Sequence, residues 1–285
     1  MILDHSDVWN PQVIADIHVK AQLGRYRIRG FSTKQKFTGF DELVFLSTGL
    51  TRFPLEGYKE KCETKTVIGA RRALQPLNLD IPIYISGMSY GALSRHAKIA
   101  LGHGASIMGT ATCTGDGGMH MDERKASKKL IYQVLPSRYG FNPEHALMAD
   151  ALEVVVGQGA KPGTGGLLMG QKVREEIAVM RDLPVGIDQR SPVRHPDWLG
   201  PDDLAIKIEE LREVTDWRVP IQVKLPACRV KDDVKLAAKA GADSIVIDGL
   251  QAGTGASAEV VLDHTGIPTM PGIVLAREAL KEIGE

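Results

Sequence analysis

A chain of 285 residues is long enough to bury a substantial core, as one large α/β domain or two small ones. Its 35 Lys+Arg balance its 35 Asp+Glu, and no basic block breaks the balance, which argues against a nucleic-acid binder or a membrane-surface protein. Cys62, Cys113 and Cys228 form neither a C-x-x-C pair nor a metal-ligand spacing, so reduced thiols and no metal site are expected. No apolar run is long enough to span a bilayer and Met1–Asp7 lacks a signal-peptide pattern, so a cytoplasmic location is expected.

Residues 1–79 read as a lead-in of helix and loop. Asn10-Pro11 starts a helix carrying Val13, Ile14, Ile17 and Leu23, and Gly24 ends it. The basic residues Arg25, Arg27, Arg29, Lys34 and Lys36 that follow read as a solvated face. Phe40, Leu43, Val44 and Leu46 are expected to pack against the main domain.

Residues 80–285 alternate strands and helices. Strands are predicted at 81–86, 106–111, 130–134, 152–156, 220–225 and 244–248, and helices at 94–104, 172–180, 202–214, 231–240 and 273–283. Acidic residues after Pro201 suit the positive end of the 202–214 helix. The alternation predicts a parallel sheet, and residues suited to ligands after each strand predict a TIM-type (β/α) barrel. A full barrel needs about 250 residues. Only six strands are found, so the expectation is an incomplete barrel lacking its last two strands, in a C-terminally truncated form of a longer protein.

The strand ends collect small and polar residues at one face. The first ends in Ser86-Gly87-Met88-Ser89-Tyr90-Gly91, whose small residues let a planar ring lie on the backbone. The second ends at Asp116, the third supplies Gln133, the fifth Lys224, and the sixth runs into Asp248-Gly249-Leu250-Gln251-Ala252-Gly253-Thr254-Gly255. The fourth ends in Gly157-Gln158-Gly159-Ala160-Lys161-Pro162-Gly163-Thr164-Gly165-Gly166, with Lys161 its one charge. A lone cation on so bare a loop reads either as a site for an anionic substrate or an electron-rich cofactor, or as a solvated lysine on a turn.

These motifs, with Thr114-Gly115-Asp116-Gly117-Gly118, Ser137-Arg138-Tyr139-Gly140, Val223-Lys224-Leu225 and Gly253-Thr254-Gly255-Ala256-Ser257, resemble in content and order the FMN-binding domain of glutamate synthase over roughly residues 80–260. Phe53-Pro54-Leu55-Glu56-Gly57-Tyr58 and Ile187–Trp198 look more like the stand-alone FMN subunit of N-methylglutamate synthase. The resemblance implies an FMN enzyme that reduces 2-iminoglutarate, formed from 2-oxoglutarate and ammonia or methylamine. It implies Ser86, Met88, Ser89, Gln133, Lys224, Gly253, Thr254 and Gly255 at the flavin, with Lys224 by its N1/O2 edge. Gln158, Lys161 and Gly163 would bind 2-oxoglutarate, and Lys161 and Asp116 would serve catalysis.

The sequence also departs from that pattern. Asp116 stands where the family has Glu, Leu167 where it has Gln, and Arg194-His195 where the large enzyme has a His pair, which bears on amine specificity. A 3Fe-4S cluster is expected only in a longer form, because its cysteine triplet is absent. The amine is expected from a glutaminase-like partner or from solution. Electrons are expected from a separate subunit or ferredoxin, because no G-x-G-x-x-G fingerprint opens a helix. Two other readings stand beside this one: a non-catalytic, complex-dependent fragment, and a barrel of the IMP dehydrogenase type with Cys113 as nucleophile.

Overall fold

The computed structural model describes residues 6, 8–30, 32–138, 140–255 and 257–285, with Arg29 by its backbone only. The readings that fall on Met1–His5, Asp7, Tyr139 and Ala256 lie outside the described residues. In chain order the elements are α1 (Pro11–Leu23), β1 (Ile28–Arg29), β2 (Thr66–Ile68), β3 (Leu77–Leu79), α2 (Arg95–Ile107), β4 (Thr112–Cys113), α3 (Met121–Ala126), β5 (Leu130–Val134), α4 (Pro143–Met148) and β6 (Ala151–Val155). There follow β7 (Leu167–Leu168), α5 (Glu175–Arg181), β8 (Gln189–Arg190), α6 (Asp202–Val214), β9 (Ile221–Pro226), α7 (Val230–Lys239), β10 (Ser244–Asp248), β11 (Ser257–Ala258), α8 (Glu259–His264) and α9 (Thr269–Glu282).

One parallel sheet organises the chain, in the order β10-β9-β6-β5-β4. Each strand is added beside the preceding one on the same side, with no reversal of order. That is the winding of a barrel, whereas a doubly wound sheet switches direction midway. The described residues thus form part of a TIM-type (β/α) barrel, as the alternation predicts.

Both faces of the sheet are covered, so its strands read as apolar runs. The outer face, with Leu130, Tyr132, Leu152, Val154, Ile221 and Val223, packs on Leu204, Ile208 and Leu211 of α6, Val234 and Ala237 of α7, and Ala276 and Ala279 of α9. Each fully buried Leu, Ile or Val there stabilises by about 1.5–3 kcal/mol. On the inner face, Ala111, Cys113, Ile131 and Ala151, near the amino ends of their strands, meet Leu77 and Leu79 of β3. The antiparallel β2–β3 hairpin therefore plugs the bottom of the barrel and leaves the carboxyl ends of the strands open.

Several expectations need correction. Residues 81–86 do not form a buried strand: Pro82 has no N–H to donate, Ile83 is 68% exposed, and the segment follows the sheet edge through one backbone bond, Ile85 N–H to the Ala111 carbonyl at 2.9 Å. The strand predicted at 106–111 lies later, because α2 runs on to Ile107 and Gly109, at φ 65, turns the chain into β4. Within α2, Gly102 is a packing position, where a Cβ would come within 2.6 Å of Ser127 Oγ.

The lead-in differs too. Asn10 caps α1 as predicted, its side chain accepting from Val13 N–H at 3.0 Å, but none of the helix is buried. Phe40, Leu43, Val44 and Leu46 do not pack on the barrel, and Val44 is 82% exposed. The basic stretch is not simply solvated: Arg27 and Lys34 both pair with Glu259 at the start of α8, at 2.9 and 2.8 Å. With the short β1–β11 pairing, these contacts strap residues 27–30 and 32–34 across the carboxyl side of the barrel.

Candidate functional site

A cavity of about 900 Å³ opens at the carboxyl ends of the strands. Its lining brings together Ser86, Met88, Ser89, Asp116, Gln133, Gln158, Lys161, Lys224, Gly253, Thr254 and Gly255, contributed by every strand end named in the sequence. Gly163 is not in the lining; at φ 69 it makes the exposed turn of the glycine-rich loop. Leu167 and Leu168 of β7 and Gly30 of the strap complete the walls.

The loops approach one another too closely for side chains. A Cβ on Gly87 would lie 2.7 Å from Gln133 Nε2, and one on Gly159 would lie 2.1 Å from the Gly249 carbonyl oxygen. Gly165 would meet the Ser191 carbonyl at 2.0 Å, so the glycine-rich loop rests backbone to backbone on the chain after β8.

Of the three lysines that line the cavity, Lys172 is exposed, whereas Lys161 and Lys224 are withdrawn from solvent. Lys224 Nζ lies 3.3 Å from Asp248 Oδ2, which also accepts from Gly159 N–H at 3.0 Å, so one carboxylate fixes both the cation and the loop after β6. Burial alone would depress the Lys224 pKa, but the Asp248 and Glu153 carboxylates outweigh it and hold the ammonium above lysine's usual range. Lys161 is 6% exposed, not solvated. Burial lowers its pKa, against the pull of Asp116 and with the repulsion of Lys224.

Buried groups that the sequence did not single out hold these loops. Lys98, on α2, donates to the carbonyls of Met88 and Thr114 at 2.8 and 2.9 Å. Arg181, on α5, donates to the carbonyls of Tyr90 and Asp116 and to Gln189 Oε1 at 2.9, 3.1 and 2.9 Å. Glu153, inside β6, accepts from Gln133 Nε2 at 2.6 Å. Its signal was a single carboxylate in an apolar run.

Two sequence candidates fall outside the cavity. His195 is buried and outside the lining, its Nε2 donating to the Val155 carbonyl at 2.9 Å and its ring stacked on Trp198. Cys113 is 2% exposed on the inner face, and burial pushes its thiol far above the usual range. A nucleophile needs access and thiolate character, and Cys113 has neither.

A parallel barrel sheet with a polar, cation-bearing cavity at its carboxyl ends has the layout of a barrel enzyme. The family model described as the conserved region in glutamate synthase matches residues 13–285. The chain belongs to the glutamate synthase family. It is 55% identical, over 98% of its length and 63% of the relative's, to a glutamate synthase large subunit-like protein of Rhizobium meliloti (strain 1021). It is 34% identical to an archaeal-type glutamate synthase [NADPH] of Thermotoga neapolitana, over 97% of this chain and 58% of the relative. The chain thus spans about 60% of the length of these curated relatives. Among solved structures, a mandelate oxidase variant with an FMN adduct aligns over 77% of this chain and 60% of its own, with 14% identity and a TM-score of 0.45.

Proposed function

We propose that this chain carries the flavin and substrate site of an FMN-dependent oxidoreductase of glutamate or N-methylglutamate synthesis, acting on 2-iminoglutarate formed from 2-oxoglutarate and ammonia or methylamine. The observation that carries this reading is the convergence of Gln133, Lys161 and Lys224 on one cavity walled in part by glycine-rich backbone.

The ring end of FMN fits the residues present. The backbone of Ser86–Ser89, bare at Gly87, offers a flat wall, and Gln133 and Lys224 stand in the same cavity. The volume of about 900 Å³ lies near the top of the ~300–1,000 Å³ range of small-molecule sites, enough for a flavin and a small acid together. Bound FMN would supply the hydride. Lys224, held charged by Asp248, would stabilise negative charge gathering at the N1/O2 edge of the ring. With Gln133 Nε2 committed to Glu153, its Oε1 is the atom left to accept from the pyrimidine edge. Gly253, Thr254 and Gly255 would border the same ligand. Lys161 would pair with a 2-oxoglutarate carboxylate, Gln158 would bond its carbonyl, and Asp116 would relay a proton or contact the substrate. The amine would come from a glutaminase-like partner or solution, and electrons from a donor subunit or ferredoxin.

The visible spectrum of the purified chain with added FMN tests the reading. Bound flavin that bleaches with dithionite and recovers its colour on adding 2-oxoglutarate with an ammonium or methylamine salt supports it; flavin that binds but never reoxidises with those compounds overturns the substrate assignment. A second reading, in which FMN is held only within a complex, is favoured by the apolar lead-in, where Phe45, Leu50 and Phe53 are fully exposed. Binding of FMN by the isolated chain would refute it.

A further inference from the structure

Strand register sets a polar layer inside the barrel. Gln133 stands opposite Glu153, Glu153 opposite Gln222, and Gln222 opposite Ser244, so four polar side chains lie side by side across β5, β6, β9 and β10. All but Ser244 are at least 95% buried, with Glu153 at 2% exposure. Directly below, Ile131 and Ala151 belong to the apolar plug, and directly above opens the cavity. A carboxylate at that depth is costly unless it is compensated; the Lys224 ammonium attracts Glu153, and Gln133 Nε2 donates to it in a short bond of 2.6 Å.

A glutamine amide can present either end to a ligand, and the two ends demand opposite partners. An acceptor fixed behind Gln133 removes that freedom: Nε2 is held inward, and Oε1 becomes the end available to the cavity. Resting on the FMN reading above, we infer that Glu153 is the positioning residue of this site, a buried acceptor that locks the Gln133 amide so that the cavity is offered a carbonyl oxygen and not an NH₂ group. Glu153 does not line the cavity; it reaches the ligand through Gln133, and both substitutions below remove alike the charge with which it also supports the Lys224 ammonium.

Two substitutions separate this role from packing. Glu153→Gln keeps an acceptor behind Gln133, whereas Glu153→Met keeps the volume and removes the acceptor. Replacing a buried charge by an apolar side chain of similar size is commonly neutral or stabilising, so a merely structural Glu153 would tolerate methionine at least as well as glutamine. In the ligand-free 285-residue chain, the Gln133 side-chain amide proton is expected downfield and slow to exchange by NMR. That signal persists in Glu153→Gln and is lost in Glu153→Met. FMN affinity stays within about threefold in the glutamine variant and falls about tenfold in the methionine variant. Glu153→Leu serves the same purpose if the methionine variant does not fold.

An unchanged Gln133 signal in Glu153→Met overturns the inference, as does an equal loss of FMN in both variants. If the unaltered chain takes up no FMN, the functional reading fails, and the amide signals of the variants decide the role of Glu153 without it.

Discussion

Lys98 and Glu123 form an ion pair 2.6 Å long in which both side chains are almost wholly buried. The other bonds of the ammonium go to the carbonyls of Met88, Cys113 and Thr114, and Met88 lines the cavity. A cation on α2, neutralised from α3, thus ties together two loops that bear site residues. Removing it strands a buried carboxylate and frees both loops. Lys98→Met is expected to destabilise the chain by about 3–5 kcal/mol in urea unfolding. A loss of less than about 1 kcal/mol, the scale of a surface pair, would mean that the pair holds nothing in place.

The same pair predicts a pH dependence. Burial pushes the Glu123 carboxyl up to about 7, against the pull of Lys98. Its folded pKa is raised, so between the unfolded value of 4.5 and about 7 the folded chain keeps a proton that the unfolded chain has lost. The contribution to stability is full below the lower value and is lost as pH rises through the upper one, on the order of 3 kcal/mol in all. Glu123→Gln, neutral at every pH, removes that slope. The Tm of the unaltered chain should therefore fall relative to that of the variant as pH rises from about 5 to about 8. A constant difference would give Glu123 an ordinary pKa.

Much of this was legible because it is local. The runs at 130–134, 152–156 and 244–248 are β-branched and apolar, and the structure places strands at Leu130–Val134, Ala151–Val155 and Ser244–Asp248. Strand ends point one way in a parallel sheet, so the residues after them had to meet, and Asp116, Gln133, Lys161 and Lys224 share one cavity. The groups that steady the site were not legible. Lys98 and Glu123 are 25 residues apart in sequence and sit on exposed-looking charged segments, and Arg181 reaches Tyr90 from 91 residues away. In a strand buried on both faces, nothing in the apolar pattern marks which side Glu153 occupies. The lead-in misread has the opposite cause: Phe40 to Leu46 are apolar, and composition alone carries no statement of what they touch.

Arg181 and Gly117 define a close approach that admits no side chain. Gly117, at φ 100, would place a Cβ 2.4 Å from Arg181 Cζ. The guanidinium cannot withdraw without releasing the carbonyls of Tyr90 and Asp116. Gly117→Ala is expected to cost about 2–4 kcal/mol, the sum of left-handed strain and overpacking, read in urea unfolding. An alanine variant as stable as the parent would show that Arg181 has another resting place.

Lys161 and Lys224 repel each other across the cavity, and Asp116 offsets only part of the cost that burial imposes on Lys161. A desolvated cation beside another cation lacks a full complement of negative charge, and a dicarboxylate entering the cavity would supply it. Lys161→Ala therefore removes a charge that the ligand-free fold gains little from, and the variant should unfold at the same temperature or higher. Its affinity for 2-oxoglutarate should fall about 100-fold, the scale of a buried charge-assisted bond, while FMN affinity stays within about threefold. Titration of each ligand against the other, followed by flavin absorbance, separates the two. Loss of FMN with 2-oxoglutarate affinity intact would move Lys161 from the substrate to the flavin and leave the acid without its principal cation.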